Sequence, residues 1–321
     1  MMFWTHSAQP NQYEETHHER SIAEDVVAVE VGEAQVFHNL TLFPLLNGDG
    51  SGPEYLTLGE ALKQKAITVG ETSEGGSVPE LKVVNGAAVA ALLLDGEELV
   101  GAKQNRVLNT SILLKPKSET IINVSCTERG RWSYQSRHFN DSDVVMEWKV
   151  RSAKQRSVSA SLKQSGAYRS DQGEVWERID ALHDAAGVAS PTGAMRDVFL
   201  SKEKDIEECL AAFPRVEGQV GFVFAVDGAV AGMDFVSRAA AYAHLHNKLV
   251  KSYVIDAKVR KNAVEPASPD SVRRFIEQIT QCAETGYPST GMGEDFRYEH
   301  DTVCGSALVC EDTCVHAAFF A

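Results

Sequence analysis

The chain has 321 residues, a formal net charge of -14, 43% hydrophobic and 24% charged residues, values of an ordinary globular protein large enough for two domains rather than one. The acidic balance weighs against nonspecific DNA binding, and no apolar run approaches the ~20 residues that cross a bilayer, so no membrane partner is expected. The first residues lack the basic-then-apolar order of a signal peptide, which makes the cytoplasm the expected compartment, and six scattered cysteines read as reduced thiols.

Residues 1–24 are polar and aperiodic and carry His6, His17 and His18, a pattern expected of a flexible extension. Residues 25–140 consist of short apolar runs broken by turn residues and read as a β-rich domain, an antiparallel sandwich or barrel. Ala87 to Leu94 is expected to run into a hairpin at Asp95-Gly96 and return through Leu99 and Val100. Further strands are expected at Val107 to Leu114 and Thr120 to Cys126. Residues 141–170 form a basic helical linker: Lys149, Arg151, Lys154, Arg156, Lys163 and Arg169 fall between Trp148 and Ser170 with no acidic residue among them. If these cations gather on one face, RNA becomes a candidate partner; pairing with the acidic remainder of the chain is the favoured outcome.

Residues 171–321 read as an α+β domain. Helices are expected at Gln172 to Ala186, Lys202 to Phe213 behind the cap candidate Ser201, Arg238 to Lys251, and Pro269 to Thr285 behind Ser268. A second Asp-Gly hairpin is expected at Asp227-Gly228, and the chain ends in strands at Phe296 to Glu299, Val303 to Cys310 and Cys314 to Phe320. The loop Gly286 to Gly293 reads as a flexible connection, since no P-loop lysine follows it.

Polar chemistry concentrates in the run DGEELVGAKQNRVLN, Asp95 to Asn109. Lys103 and Arg106 can neutralise an anion, while Gln104, Asn105 and Asn109 supply directional hydrogen bonds; the competing reading is a polar loop that pins a strand. A second group is Ser125, Cys126, Glu128, Arg131 and Trp132, where Cys126 is a candidate nucleophile and Arg131 with Trp132 could face a base or sugar ring. Glu97 and Glu128 are the candidate general bases. Asp95, Glu98, Asp227 and Asp234 read first as turn residues, and Cys304, Cys310, Cys314 and His316 lack the paired knuckles of a structural zinc site, so no metal centre is assigned.

The stretch LLLDGEELVGAKQNRVLNTSILL followed by SCTERGRW, preceded by YLTLGEAL and GSVPELKVVN, resembles the ARG and rhodanese-phosphatase-superfamily-associated protein domain family. The resemblance extends over most of residues 38–320 through VWERI, VDGAVAGMDFV, YVIDA and GSALV. It implies nucleotide, ADP-ribose or phosphoester chemistry, by association with the proteins for which the family is named. The expected function is therefore binding, and hydrolysis as a candidate activity, of a small anionic, phosphate-bearing or nucleotide-like ligand. The alternative is a noncatalytic module whose polar motif serves the fold; no cofactor and no oligomeric state follow from the residues.

Overall fold

The computed structural model describes residues 29–46, 52–255 and 265–321. The expected extension at 1–24, with His6, His17 and His18, lies outside the described residues. The fold is α+β with a β-rich N-terminal part, and the strands among the described residues form three sheets.

The largest sheet is antiparallel. Short strands β1 (Glu30–Val31) and β2 (Gln35–Phe37) both pair with β3 (Leu40–Leu46). Beyond β3 come β13 (Gln219–Val226), β14 (Ala229–Val236), β18 (Thr313–Phe320), β17 (Cys304–Cys310), β16 (Glu294–Glu299) and β15 (Ala283–Pro288). Thus a strand from the expected N-terminal half is built into the sheet of the C-terminal half, with Phe43 opposite Val223. One apolar core joins Leu40 and Leu42 to Phe222, Phe224, Leu249 and Phe320, so the expected division at residue 140 does not follow the hydrogen-bonded layers.

The second sheet holds β5 (Ile67–Glu71), β6 (Glu80–Asn85), β8 (Glu97–Gly101), β9 (Arg106–Leu108), β11 (Ser118–Cys126) and β12 (Phe139–Val145) in the order β12-β8-β9-β11-β6-β5. It curls until its two edge strands, β5 and β12, approach each other. The third comprises β4 (Tyr55–Thr57), β7 (Ala90–Leu93) and β10 (Ile112–Leu114), with β4 and β7 parallel.

The two Asp-Gly pairs behave differently. At Asp227-Gly228 both residues take positive φ, +51° and +79°, and Val226 pairs with Ala229, which is the expected hairpin. At Asp95-Gly96 only the glycine is left-handed, and β7 and β8 do not pair: β7 belongs to the third sheet, β8 to the second. All four residues of β7 are buried, so this strand needs a layer on each side, and the chain crosses between sheets instead of doubling back.

Among the helices, α1 (Leu58–Lys63) was not expected. It starts in a reciprocal capping box in which Thr57 Oγ1 accepts from the Glu60 amide and Glu60 Oε2 from the Thr57 amide. Of the linker expected at 141–170, residues 141–145 complete strand β12, and Trp148–Ser165 form one helix, α2, ended by Gly166 in the left-handed region. It is no exposed basic face: Arg151 and Lys154 are fully buried against Asp95 and Asp234, and Lys163 pairs with Glu299. The positive surface required by the RNA reading therefore loses two of its six members to the core.

Helix α3 (Gln172–Ala186) is capped by Asp171 and closed by Gly187. Next come α4 (Met195–Ser201), unexpected, and α5 (Glu203–Ala212); Ser201 ends the former instead of capping the latter, its hydroxyl donating to the Val198 carbonyl. Helix α6 (Ala239–Val254) buries Tyr242, Leu245, Leu249 and Tyr253. Helix α7 (Pro269–Thr280) has its Ser268 cap but stops earlier than expected, because Ala283–Pro288 is strand β15. Nor is the Gly286 to Gly293 loop a loose connection: Met292 bridges to Leu113, and a Cβ at Gly291 would lie 2.3 Å from the Leu113 carbonyl oxygen.

An ionic brace joins these layers. From α2, Arg151 reaches Asp95 at 2.9 Å and Asp234 at 2.8 Å, and Lys154 binds Asp95 together with the Leu108 and Asn109 carbonyls. Gln155 links Asp95 to Ser306. Burial alone would push Asp95 up, but the two cations outweigh it and hold the group far below the usual carboxylate range; burial pulls Lys154 down to about 8. We expect Asp95→Ala, which strands two buried cations, to cost about 3–5 kcal/mol in urea unfolding. A loss below about 1 kcal/mol would show that the brace contributes little.

Candidate functional site

The segment between β8 and β9 makes an irregular turn: Gly101 and Ala102 have φ of +120° and +40°, and Asn105 Oδ1 accepts from the Gly101 amide. Arg131 threads it from the other side. Its Nη1 donates to the carbonyls of Ala102 and Ser133, each at 2.9 Å, its Nη2 to Asn105 Oδ1 at 3.0 Å, and its Nε to Glu128 Oε2 at 2.9 Å. The second Glu128 oxygen accepts from Thr192 Oγ1 at 2.9 Å. Burial pushes Glu128 up, but these hydrogen bonds prevail and hold it below its usual value. Glu128 is thus an ionised brace with its oxygens occupied, and not a free base as expected from sequence.

Cys126 is likewise tied in. Its thiol donates to Gln104 Oε1, Gln104 Nε2 donates to the Glu128 carbonyl, and Arg106 Nη1 approaches the sulfur at 3.1 Å. Burial pushes the thiol up to about 11 in spite of Arg106, so it is protonated at neutral pH and lacks the thiolate that nucleophilic attack requires. The candidate nucleophile of the sequence is thus held as a buried, hydrogen-bonded thiol.

Glu97 stands in another cluster. It accepts from the Leu94 amide and from Lys248 Nζ, each at 2.8 Å, and Lys248 also binds Asp141 at 2.7 Å. With both oxygens engaged it is no more available as a base than Glu128. Asn109 also lies apart: Nδ2 donates to the Tyr168 carbonyl at 2.9 Å and Oδ1 accepts from Ser125. Lys103, Gln104, Asn105, Arg106, Arg131 and Trp132 are brought together; Glu97 and Asn109 are not.

Arg106 differs from its neighbours. It is fully buried, and Nη1 alone is anchored, to Gln104 Oε1 at 2.7 Å and to the carbonyls of Gln104 and Asn105. Nε and Nη2, the edge that forms a bidentate fork, find no hydrogen-bond partner. The Trp132 ring, half exposed, lies 5.6 Å from the guanidinium carbon. Lys103 Nζ sits over Trp132 and Tyr134 at 5.4 and 5.1 Å and donates to the Gly75 carbonyl at 2.7 Å. Burial lowers the Arg106 pKa, and a negative charge at Glu71 acts against that shift.

Glu71 was not among the residues expected from sequence. Both its carboxylate oxygens are buried without a partner, and it lines a groove of about 840 Å³ between Gly70–Glu74 and Tyr134–His138. Ile67, Val69 and Glu71 share one face of β5, so a carboxylate stands where the strand's period calls for an apolar residue; that alternation is visible in the sequence.

Elsewhere, Ser111, His316 and Asp234 stand in the order of a hydrolytic triad, with Ser111 Oγ 2.8 Å from His316 Nδ1 and His316 Nε2 3.6 Å from Asp234 Oδ1. Asp234 is already held by Arg151 and Tyr253, Ser111 accepts from the Asp95 amide, and all three residues are buried. They extend the ionic brace. Among the described residues no three His, Cys, Asp or Glu side chains converge as a metal site.

The chain belongs to the ARG and Rhodanese-Phosphatase-superfamily-associated Protein domain family, whose model matches residues 28–320. No curated protein and no solved structure gives a match.

Glu98 generates a pH prediction. Fully buried, it accepts from Thr127 Oγ1 at 2.6 Å, and burial pushes its pKa up from 4.5 to about 7. A raised carboxyl pKa adds stability that is complete below 4.5 and fades as pH climbs to about 7. Glu98→Gln, which cannot ionise, should therefore gain on the parent by about 3 kcal/mol between pH 4.5 and pH 8. Urea titrations at the two pH values check this; parallel curves for the two proteins would refute it.

Proposed function

We propose that this protein binds a small, phosphate-bearing or nucleotide-like ligand beside the groove between β5 and the 134–138 segment, with Arg106 as the anchor. The observation that carries the reading is the desolvated, unpartnered Nε and Nη2 edge of Arg106. A buried donor pair without acceptors costs free energy in the empty protein, and an acceptor-bearing ligand recovers it. Fixed by three acceptors on Nη1, the guanidinium is oriented before the ligand arrives, which lowers the entropy cost of binding. Trp132 and Tyr134 offer aromatic surface, and Lys103 a second cation.

The reading is one of binding. Glu97 and Glu128 are engaged elsewhere, and the acid–base groups that line the groove are Glu71, Glu74 and His138. The second reading, a noncatalytic module whose motif serves the fold, is favoured by a specific fact: Gln104, Asn105, Glu128 and Arg131 satisfy one another. Both readings agree that most of the polar run is scaffold; they differ over Arg106.

A thermal-shift panel of nucleotides, ADP-ribose, NAD and phosphoesters separates them. A true ligand at a hundred times its Kd adds about 2.7 kcal/mol. Flat melting curves across the panel favour the scaffold reading. In a companion test, Arg106→Lys should weaken binding nearly as much as Arg106→Ala, since an ammonium cannot reproduce a planar fork. If Arg106→Lys binds like the parent, the fork is not the anchor; melting of both variants without ligand is measured alongside.

A further inference from the structure

Glu71 and Arg106 set a requirement that a bare anion does not meet. Two buried carboxylate oxygens of Glu71 and two buried guanidinium donors of Arg106 stand unpartnered, and Glu71 is among the charges that act on Arg106. Gly76 sets Glu71 beside Lys103: a Cβ there would lie 3.3 Å from Glu71 Oε2 and 3.3 Å from Lys103 Cδ. The turn carrying Gly75 and Gly76 is tied down by Lys103, whose ammonium lies over Trp132, the ring that also faces Arg106. A free phosphate in this space would satisfy the fork but oppose Glu71, with Glu74 beside the same groove.

Resting on the binding site proposed above, we infer that its ligand is a guanine-type purine nucleotide, read at the base by Arg106 and Glu71 and stacked on Trp132. Guanine offers acceptors N7 and O6 on one edge, which a guanidinium fork matches, and donors N1–H and N2–H on the adjoining edge, which a carboxylate matches. Oxygen O6 lies between the two edges, so neighbouring positive and negative groups can read one base. Adenine keeps the N7 acceptor but sets its N6 donor toward Arg106 in place of O6, and its N1 acceptor toward Glu71 in place of N1–H. A planar heterocycle also suits the half-exposed Trp132 and Tyr134, and the sugar and phosphate would run along the groove toward Arg137 and His138. Since the polar atoms of Arg106 and Glu71 are closed off from solvent, entry requires Trp132 or the Ser73 to Gly76 turn to shift.

Isothermal titration of the full chain with GMP, IMP, AMP and inorganic phosphate tests the inference. GMP should bind about a hundredfold more tightly than AMP, and IMP, lacking the N2 donor, should fall between them. Glu71→Gln should lower GMP affinity by about ten- to a hundredfold and compress the GMP-to-AMP ratio. If AMP or phosphate binds as well as GMP, the base assignment is overturned while the anion site stands. If neither these ligands nor any member of the wider panel binds, both readings fall. The GMP-to-AMP ratio of the unmodified protein decides the matter even if Glu71→Gln does not fold.

Discussion

The pairing of Asp95 with Arg151 and Lys154 in the interior is the constraint on which the rest of the structure depends. Asp95 sits where the chain crosses from the third sheet to the second; both cations come from α2, and Arg151 continues to Asp234 on the large sheet. Three layers thus meet at one set of charges. Each ion carries a desolvation cost that only its partners offset, so an arrangement that separates the layers exposes unpaired charge to a low-dielectric interior. Around this centre Ser111, His316, Gln155, Ser306 and Tyr253 add further hydrogen bonds. Such a network specifies one packing of the layers where apolar contacts alone would tolerate several.

The same logic distinguishes scaffold from site in the polar run. Saturated groups hold shape: Arg131, with donors on Glu128, Asn105 and two carbonyls, is a clamp, and Glu128 is its counterpart. Arg106 is the exception within a few residues of that clamp. Its one anchored nitrogen shows that the position of the side chain is specified, and its two idle nitrogens are therefore held in place without being used by the fold.

Much of the fold was legible in the sequence because local chemistry and tertiary demand agreed. Asp227-Gly228 lies between two eight-residue strands and both residues adopt the conformation the dipeptide favours. Ser268-Pro269 starts a helix for the reasons those residues usually do. Asp95-Gly96 carries the same local signal, but the fully buried β7 overrode it, and no local rule reports which layer a strand joins. Helix α1 was in principle readable, since Thr57 and Glu60 spell a capping box; it is only six residues long and sits among strands. Helix α4 has no side-chain cap to announce it. For the site, sequence brought out the cluster from Lys103 to Trp132 but could not rank its members. Whether an arginine is spent or idle depends in part on distant partners, as Arg131 shows with Ala102 and Asn105, 29 and 26 positions back, and Glu71, though out of pattern on its strand, gains meaning only beside Arg106.

The placement of β3 bears on how the protein comes into being. Leu40–Leu46 is an almost wholly apolar strand, yet its inner neighbour in the sheet is β13, and Asn39 bonds Asp227 across 188 positions. On a ribosome adding about 5–20 residues each second, LTLFPLL waits on the order of ten seconds or more before that neighbour is made. Throughout that interval it is an unpaired apolar edge, the kind of segment that captures foreign strands. Pro44, in the middle of it, leaves that edge intact: its carbonyl accepts from the Gly32 amide, and the N–H and C=O of one strand residue point to the same side, so the missing donor lies on the β1 side. In the finished sheet the same proline lies opposite Phe222, at a position where β13 takes no amide from it, which is why a proline is tolerated between two strands.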